Sequence, residues 1–139
     1  MTTPQTILAV EALLALPLLV LGVSHIVQKE MWVGFFSRLA AQGRDGVIVR
    51  TFLFELWPAS LIVVLHQDWS WPGVLITVYG HLLMVKVVFS LIIPSLGERS
   101  LEQAEHRGDW AFLPAGLVLI GLGALCAARA GPAVLGIGV

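Results

Sequence analysis

Apolar positions in this chain gather into four runs, residues 7–27, 47–65, 74–93 and 110–128, with polar positions held mostly in the short stretches between them. Each run is about 20 residues long, which at about 1.5 Å rise per residue matches a bilayer hydrocarbon core about 30 Å deep. A helix lets such a run satisfy its own backbone hydrogen bonds, so the pattern predicts an all-α, integral membrane bundle of four transmembrane helices in one domain. Thr3 and Pro4 read as an N-cap and a first-turn proline that start the first helix before its apolar run, and Pro17 predicts a kink midway. Met1 to Thr6 carry no Lys or Arg and the run is long for the apolar part of a signal peptide, so it is expected to remain as a span.

The stretch before the second run has its own periodicity. Met31, Trp32, Phe35, Phe36 and Leu39 recur at helical spacing, while Lys29, Arg38 and Gln42 fall largely elsewhere. This predicts an amphipathic in-plane helix over about 29–42, lying in the interface with its apolar side toward the acyl chains. Before the fourth run, Ser100 and Gln103 stand at capping-box spacing and Gly108 is a stop, which predicts a short, polar, solvated helix. The two halves thus share a plan. Sliding residues 22–47 onto 86–111 aligns Val23 with Val87, Ala40 with Ala104 and Asp45 with Asp109, as a parallel duplication about an axis along the membrane normal would.

Charge and composition narrow the setting. At 139 residues, four crossings leave no room for a separate soluble domain, and a net charge of −1 gives no basic footprint for nucleic acid. The single cysteine, Cys126, lies inside the fourth run, so it reads as a packing residue. Lys29, Arg38 and Arg44 in the first connection, with Arg50 just beyond, and Arg99 and Arg107 in the third outweigh a second connection that has none. The positive-inside bias therefore places the first and third connections in the cytoplasm and both termini outside. Trp32, Trp57, Trp69, Trp71 and Trp110 read as anchors at headgroup level. The residues after Gly131 are apolar but too few to cross again.

A His-x-x-Trp turn (HQDW, His66 to Trp69) between the second and third spans, a long third span ending in Pro94, a short charged helix and a glycine-rich last span complete the pattern. In this combination the chain resembles a group of small bacterial four-span membrane proteins, in which Asn usually follows the His where this chain has Gln67. More loosely it looks like DoxX-type membrane proteins, some of which are linked to respiratory oxidoreductases. The resemblance implies a fold and a compartment, not an activity. Size and topology are also similar to glutathione-using, eicosanoid-metabolising membrane enzymes, but Arg50 and Glu55 stand at a different interval from the one those enzymes need, and their chemistry is not carried over.

The chemistry rests on ionisable residues inside apolar helices, where each costs about 2.5–3.5 kcal/mol at mid-bilayer on insertion scales. Glu11, Arg50, Glu55, His81 and Lys86 qualify. Counting outward from the second turn sets Glu55 level with His81 and within about 6 Å of the level of Lys86, with Arg50 level with Lys86. Glu55 is therefore expected to face the bundle interior and bond at least one of Arg50, Lys86 and His81, because a carboxylate between cations is far cheaper in lipid than either alone. The plainer reading is an ion-paired cluster that fixes helix register, with Arg50 snorkelling to the surface. The functional reading is a polar site for an anionic headgroup, a quinone or a transferred proton, with Tyr79 offering a hydroxyl. Glu11, about one turn below the outer surface, is expected to be hydrated, on a stripe with Ala15, Gly22 and His25 that packs on a neighbour. Gly116, Gly121, Gly123, Ala124 and Ala128 form the corresponding surface of span four, a packing face or the seam of a homo-oligomer. The four histidines lie at unmatched depths, which argues against bis-imidazole haem, and no pair has metal-ligand spacing.

No catalytic residue is assigned. The leading expectation is a non-enzymatic accessory or interaction subunit that binds membrane lipid or a quinone at the Glu55 cluster, alone or with a membrane-complex partner. A transporter-like or proton-handling unit comes second, and a component of a membrane oxidoreductase or transferase third. A large apolar cavity opening sideways beside Glu55 and Lys86 would favour lipid or quinone. A water path through His81 would favour transport, and a deep pocket lined by Arg50, Arg38 and His25 a soluble anionic cofactor.

Overall fold

The computed structural model describes residues 3–134. Its elements are helices α1 (Pro4–Val27), α2 (Lys29–Ala41), α3 (Arg44–Arg50), a π-helical turn (Thr51–Leu56), α4 (Trp57–Leu65), α5 (Val74–Ile92), α6 (Pro94–Arg107) and α7 (Asp109–Val134). Four helical stretches are long and apolar enough to cross a membrane: Pro4–Val27, Arg44–Leu65, Val74–Ile92 and Trp110–Pro132. Their outward faces carry exposed Leu16, Val20, Phe52, Val64, Leu82 and Val118. Thr3 caps α1 as expected, its hydroxyl oxygen accepting from Thr6 N–H at 3.2 Å.

Helix boundaries repeat at an interval of 65 residues. Val27 and Ile92 close the first helix of each half, Lys29 and Pro94 open the second, and Arg44 and Asp109 open the third. Gly43 and Gly108, with φ of 56° and 53°, make the turn into that third helix in both halves; L side chains rarely adopt this left-handed conformation. The sequence alignment, built on an interval of 64, is thus one residue out of register. It matched Gly43 to Arg107, whereas the backbone turn sets Gly43 against Gly108.

The packing follows the same plan. α1 lies along α7, and its counterpart in the other pair, α5, lies along α4 and the π turn. Gly22 and Gly116 let the first pair touch: a Cβ on either would stand 2.8 Å from the other's carbonyl oxygen. The pairs are joined by a core of Val10, Leu14, Leu18, Ile62, Ile76 and Cys126, so Cys126 is a packing residue. One seam breaks the symmetry. α1 touches α4, but among the described residues α5 and α7 make no comparable contact, and the bundle is left open on that side.

Two expectations about the connecting helices are corrected. α2 turns its apolar residues inward: Trp32 and Leu39 are buried, Trp32 Nε1 donates to Ser24 Oγ at 2.9 Å, and its ring stacks on His25 with centroids 4.3 Å apart. Trp32 is therefore no surface anchor, because the bundle end offers aromatic partners. α6 begins at Pro94, so Ser100 lies inside the helix and not at its cap. It packs on α2, α3 and α5, with Leu101 fully buried against Leu39 and Val47. One buried leucine, with Gly97 close against Val47, was enough to dock a helix that reads as solvated.

Candidate functional site

Two buried clusters of charge sit at different depths. The first is built on the π turn. Residues five apart lie about 140° from each other around an α-helix of 3.6 residues per turn, so Arg50 and Glu55 would face apart. The π turn, with its i to i+5 bonding, brings them onto one side. Pro58 supplies a local cause, since it has no N–H for a carbonyl in the preceding turn. The Leu53 carbonyl instead accepts from Trp57 Nε1 at 3.0 Å.

Glu55 Oε1 accepts from Lys86 Nζ at 2.5 Å and lies 3.4 Å from Arg50 Nε. Arg50 is only 2% exposed, so it does not snorkel to the surface. Its two terminal nitrogens donate to Ser100 Oγ at 3.2 Å and Ser90 Oγ at 3.4 Å, which bind it to α6 and α5. Arg50 Nε, Thr51 Oγ1 and Glu55 Oε2 are buried with no hydrogen-bond partner among the described residues. His81 stands apart from this cluster: its Nδ1 bonds the Thr77 carbonyl at 2.8 Å and its ring faces Trp69.

This cluster forms one wall of a cavity of about 680 Å³. The 65-residue repeat runs through the lining: Leu14 and Tyr79, Leu18 and Leu83, Leu21 and Lys86, Arg50 and Ala115, Leu53 and Val118, Phe54 and Leu119 are all lining residues. The cavity therefore straddles the pseudo-two-fold axis. Across that axis Tyr79, Lys86 and Arg50 face their counterparts Leu14, Leu21 and Ala115, so duplication produced one polar wall and one apolar wall. His25, Trp32, Phe36 and Phe112 close the end under α2. The absent α5–α7 seam puts the mouth between those helices, beside Lys86, whose side chain is 46% exposed.

The second cluster lies at the opposite end and corrects the expectation for Glu11. Glu11 is not hydrated but fully buried, and its Oε1 meets His66 Nε2 at 2.8 Å and Arg129 Nε at 2.8 Å. Arg129 also donates through Nη2 to Asp68 Oδ2, so α1, the 66–73 turn and α7 are bound together. Thr77 Oγ1 lies 2.8 Å from the Asp68 carbonyl and 3.0 Å from His66 Nδ1, which fixes the ring so that Nε2 faces Glu11. Asp68, outside the long helices, has its pKa lowered, chiefly by the Ser70 hydroxyl, with the Ser70 N–H and Arg129 adding and partial burial opposing.

Of the expected residues, Glu55, Arg50 and Lys86 come together with Tyr79 on the same cavity, and His81 does not join them. The turn residue His66 belongs to the second cluster, while Trp69 is exposed on the surface. Arg129 and Asp68 were missed. Their signal was depth: both fall at the level of Glu11, one just after the last apolar run and one in the turn. His25, expected to line a pocket with Arg50 and Arg38, does line the cavity with Arg50, whereas Arg38 is not among its described lining residues, and Phe112 was missed. No family model, curated protein or solved structure matches the chain.

Proposed function

We propose that this chain is a small multi-pass protein of a bacterial inner membrane that acts without catalysis, as an accessory or interaction subunit, by holding a lipid or quinone in the cleft between α5 and α7. Both termini lie outside the cytoplasm, and α2 and α6 cover the cytoplasmic face, as the distribution of Lys and Arg requires. The observation that carries the reading is a cavity with one charged and one apolar wall, open sideways between two long apolar helices. A molecule dissolved in the bilayer enters such a mouth without crossing a polar barrier, lays its tail along α1 and α7 and places its head at Lys86 and Glu55.

The test is native mass spectrometry of protein released from gentle detergent, comparing wild type with Ala115→Phe, which fills the cavity from its apolar wall. Wild type should carry a lipophilic adduct that the variant loses. Identical bare masses for both would remove the cleft as a binding site.

A further inference from the structure

The charges around the cleft do not balance. Glu55 is the one carboxylate among the described residues that line the cavity, and it faces two cations. Lys86 takes its Oε1 at 2.5 Å, and Arg50 approaches the same oxygen at 3.4 Å while its other donors go to the uncharged hydroxyls of Ser90 and Ser100. On the covering helices, Glu98 lies 3.8 Å from the exposed Arg44, and no acid other than Glu55 is among the described residues that line the cavity. One positive charge is left in apolar surroundings, where an uncompensated ion is costly. Lys86 still has N–H donors to give, and its half-exposed side chain stands at the mouth.

From this surplus, and resting on the amphiphile reading above, we infer that the occupant of the cleft is an apolar-tailed monoanion, its negative head bound by Lys86 with the Arg50 charge behind. A neutral head leaves the surplus in place, and a zwitterionic one brings its own cation to the site. A single negative charge completes it. Two sources supply that chemistry: the carboxylate of a free long-chain fatty acid and the phosphodiester of an anionic phospholipid.

The experiment titrates delipidated full-length protein in nonionic detergent with four probes, oleate, methyl oleate, dioleoylphosphatidylglycerol and dioleoylphosphatidylcholine, and counts bound adducts by native mass spectrometry. Wild type should prefer an anion over its matched uncharged or zwitterionic partner by about tenfold or more. Preference confined to oleate identifies a free carboxylate as the occupant, and preference confined to the glycerol lipid identifies a phosphodiester; both sustain the inference. Lys86→Met, or Lys86→Gln if the first does not fold, should bind matched partners alike. Equal binding of matched partners by wild type, or a preference that survives in the Lys86 variants, overturns the monoanion while leaving the amphiphile reading intact. If no probe binds wild type better than it binds Ala115→Phe, both fail.

Discussion

The two buried clusters use the same side-chain types to opposite ends. At the turn end, the carboxylates of Glu11 and Asp68 both meet Arg129 and Glu11 also meets His66, so each charged side chain has a partner within the protein, although Glu11 Oε2 is buried without one among the described residues. At the cleft, two cations share one carboxylate and a cavity of about 680 Å³ lies alongside. A cluster whose charges meet one another within the protein draws helices together, whereas one with a cation to spare beside a cavity has a use for a visitor. On this comparison the turn end holds the bundle and the cleft serves it.

Breaking the turn-end cluster should have the largest effect. Glu11→Gln leaves Arg129 and His66 facing a neutral amide in a fully buried position, and losing one partner of such a network costs about 3–5 kcal/mol. Thermal unfolding in detergent should show a large drop in midpoint; a change near zero would mean that Glu11 is hydrated after all. Glu55→Gln should cost less, about 2 kcal/mol, because Lys86 can turn to the open mouth and Arg50 keeps both serines. The same substitution raises the surplus charge, so it should retain anionic amphiphile more strongly than wild type, whereas Glu11→Gln should not.

Acidity separates the clusters further. The lowered pKa of Asp68 means that its contribution is complete above the ordinary carboxylate value of about 3.9 and is lost as pH falls through the lower folded-state value. Wild type should therefore lose stability relative to Asp68→Asn below about pH 4, with the difference between their unfolding midpoints constant above it. A difference that instead opens near neutrality would assign the effect to another group. Smallest of all, Lys86→Met should change stability by about 1 kcal/mol or less, since the side chain is nearly half exposed and Arg50 remains beside Glu55. Its effect should appear in ligand retention, not in unfolding.

Hydrophobic spacing made the four long helices and α2 readable, because a run of apolar residues about 20 long has few other stable forms. Counting from the second turn brought Glu55 and Lys86 to neighbouring heights, and the structure pairs them. Arg50 was harder to place, since a π turn decides which way it faces and only Pro58 hinted at one. The last helix was expected to stop near Ala128 because Arg129 follows, yet it continues to Val134. Arg129 is held by Glu11 in direct contact, 118 residues away in sequence, and such long-range pairing leaves no periodic trace. The apolar face of α2 was legible, but its direction was not, because periodicity defines a face without naming what lies against it. Residues 135–139 of the apolar tail fall outside the described residues.

The division of labour between the clusters is tested most directly by the thermal unfolding shift that oleate produces in wild type, Glu11→Gln and Lys86→Met, with methyl oleate as control. Saturation near a hundredfold excess over the dissociation constant stabilises a folded protein by about 2.7 kcal/mol. Wild type and Glu11→Gln should gain equally with oleate, from different starting midpoints, and Lys86→Met should gain no more than it does with the ester. A shift that disappears in Glu11→Gln and persists in Lys86→Met would place the ligand at the wrong end of the bundle.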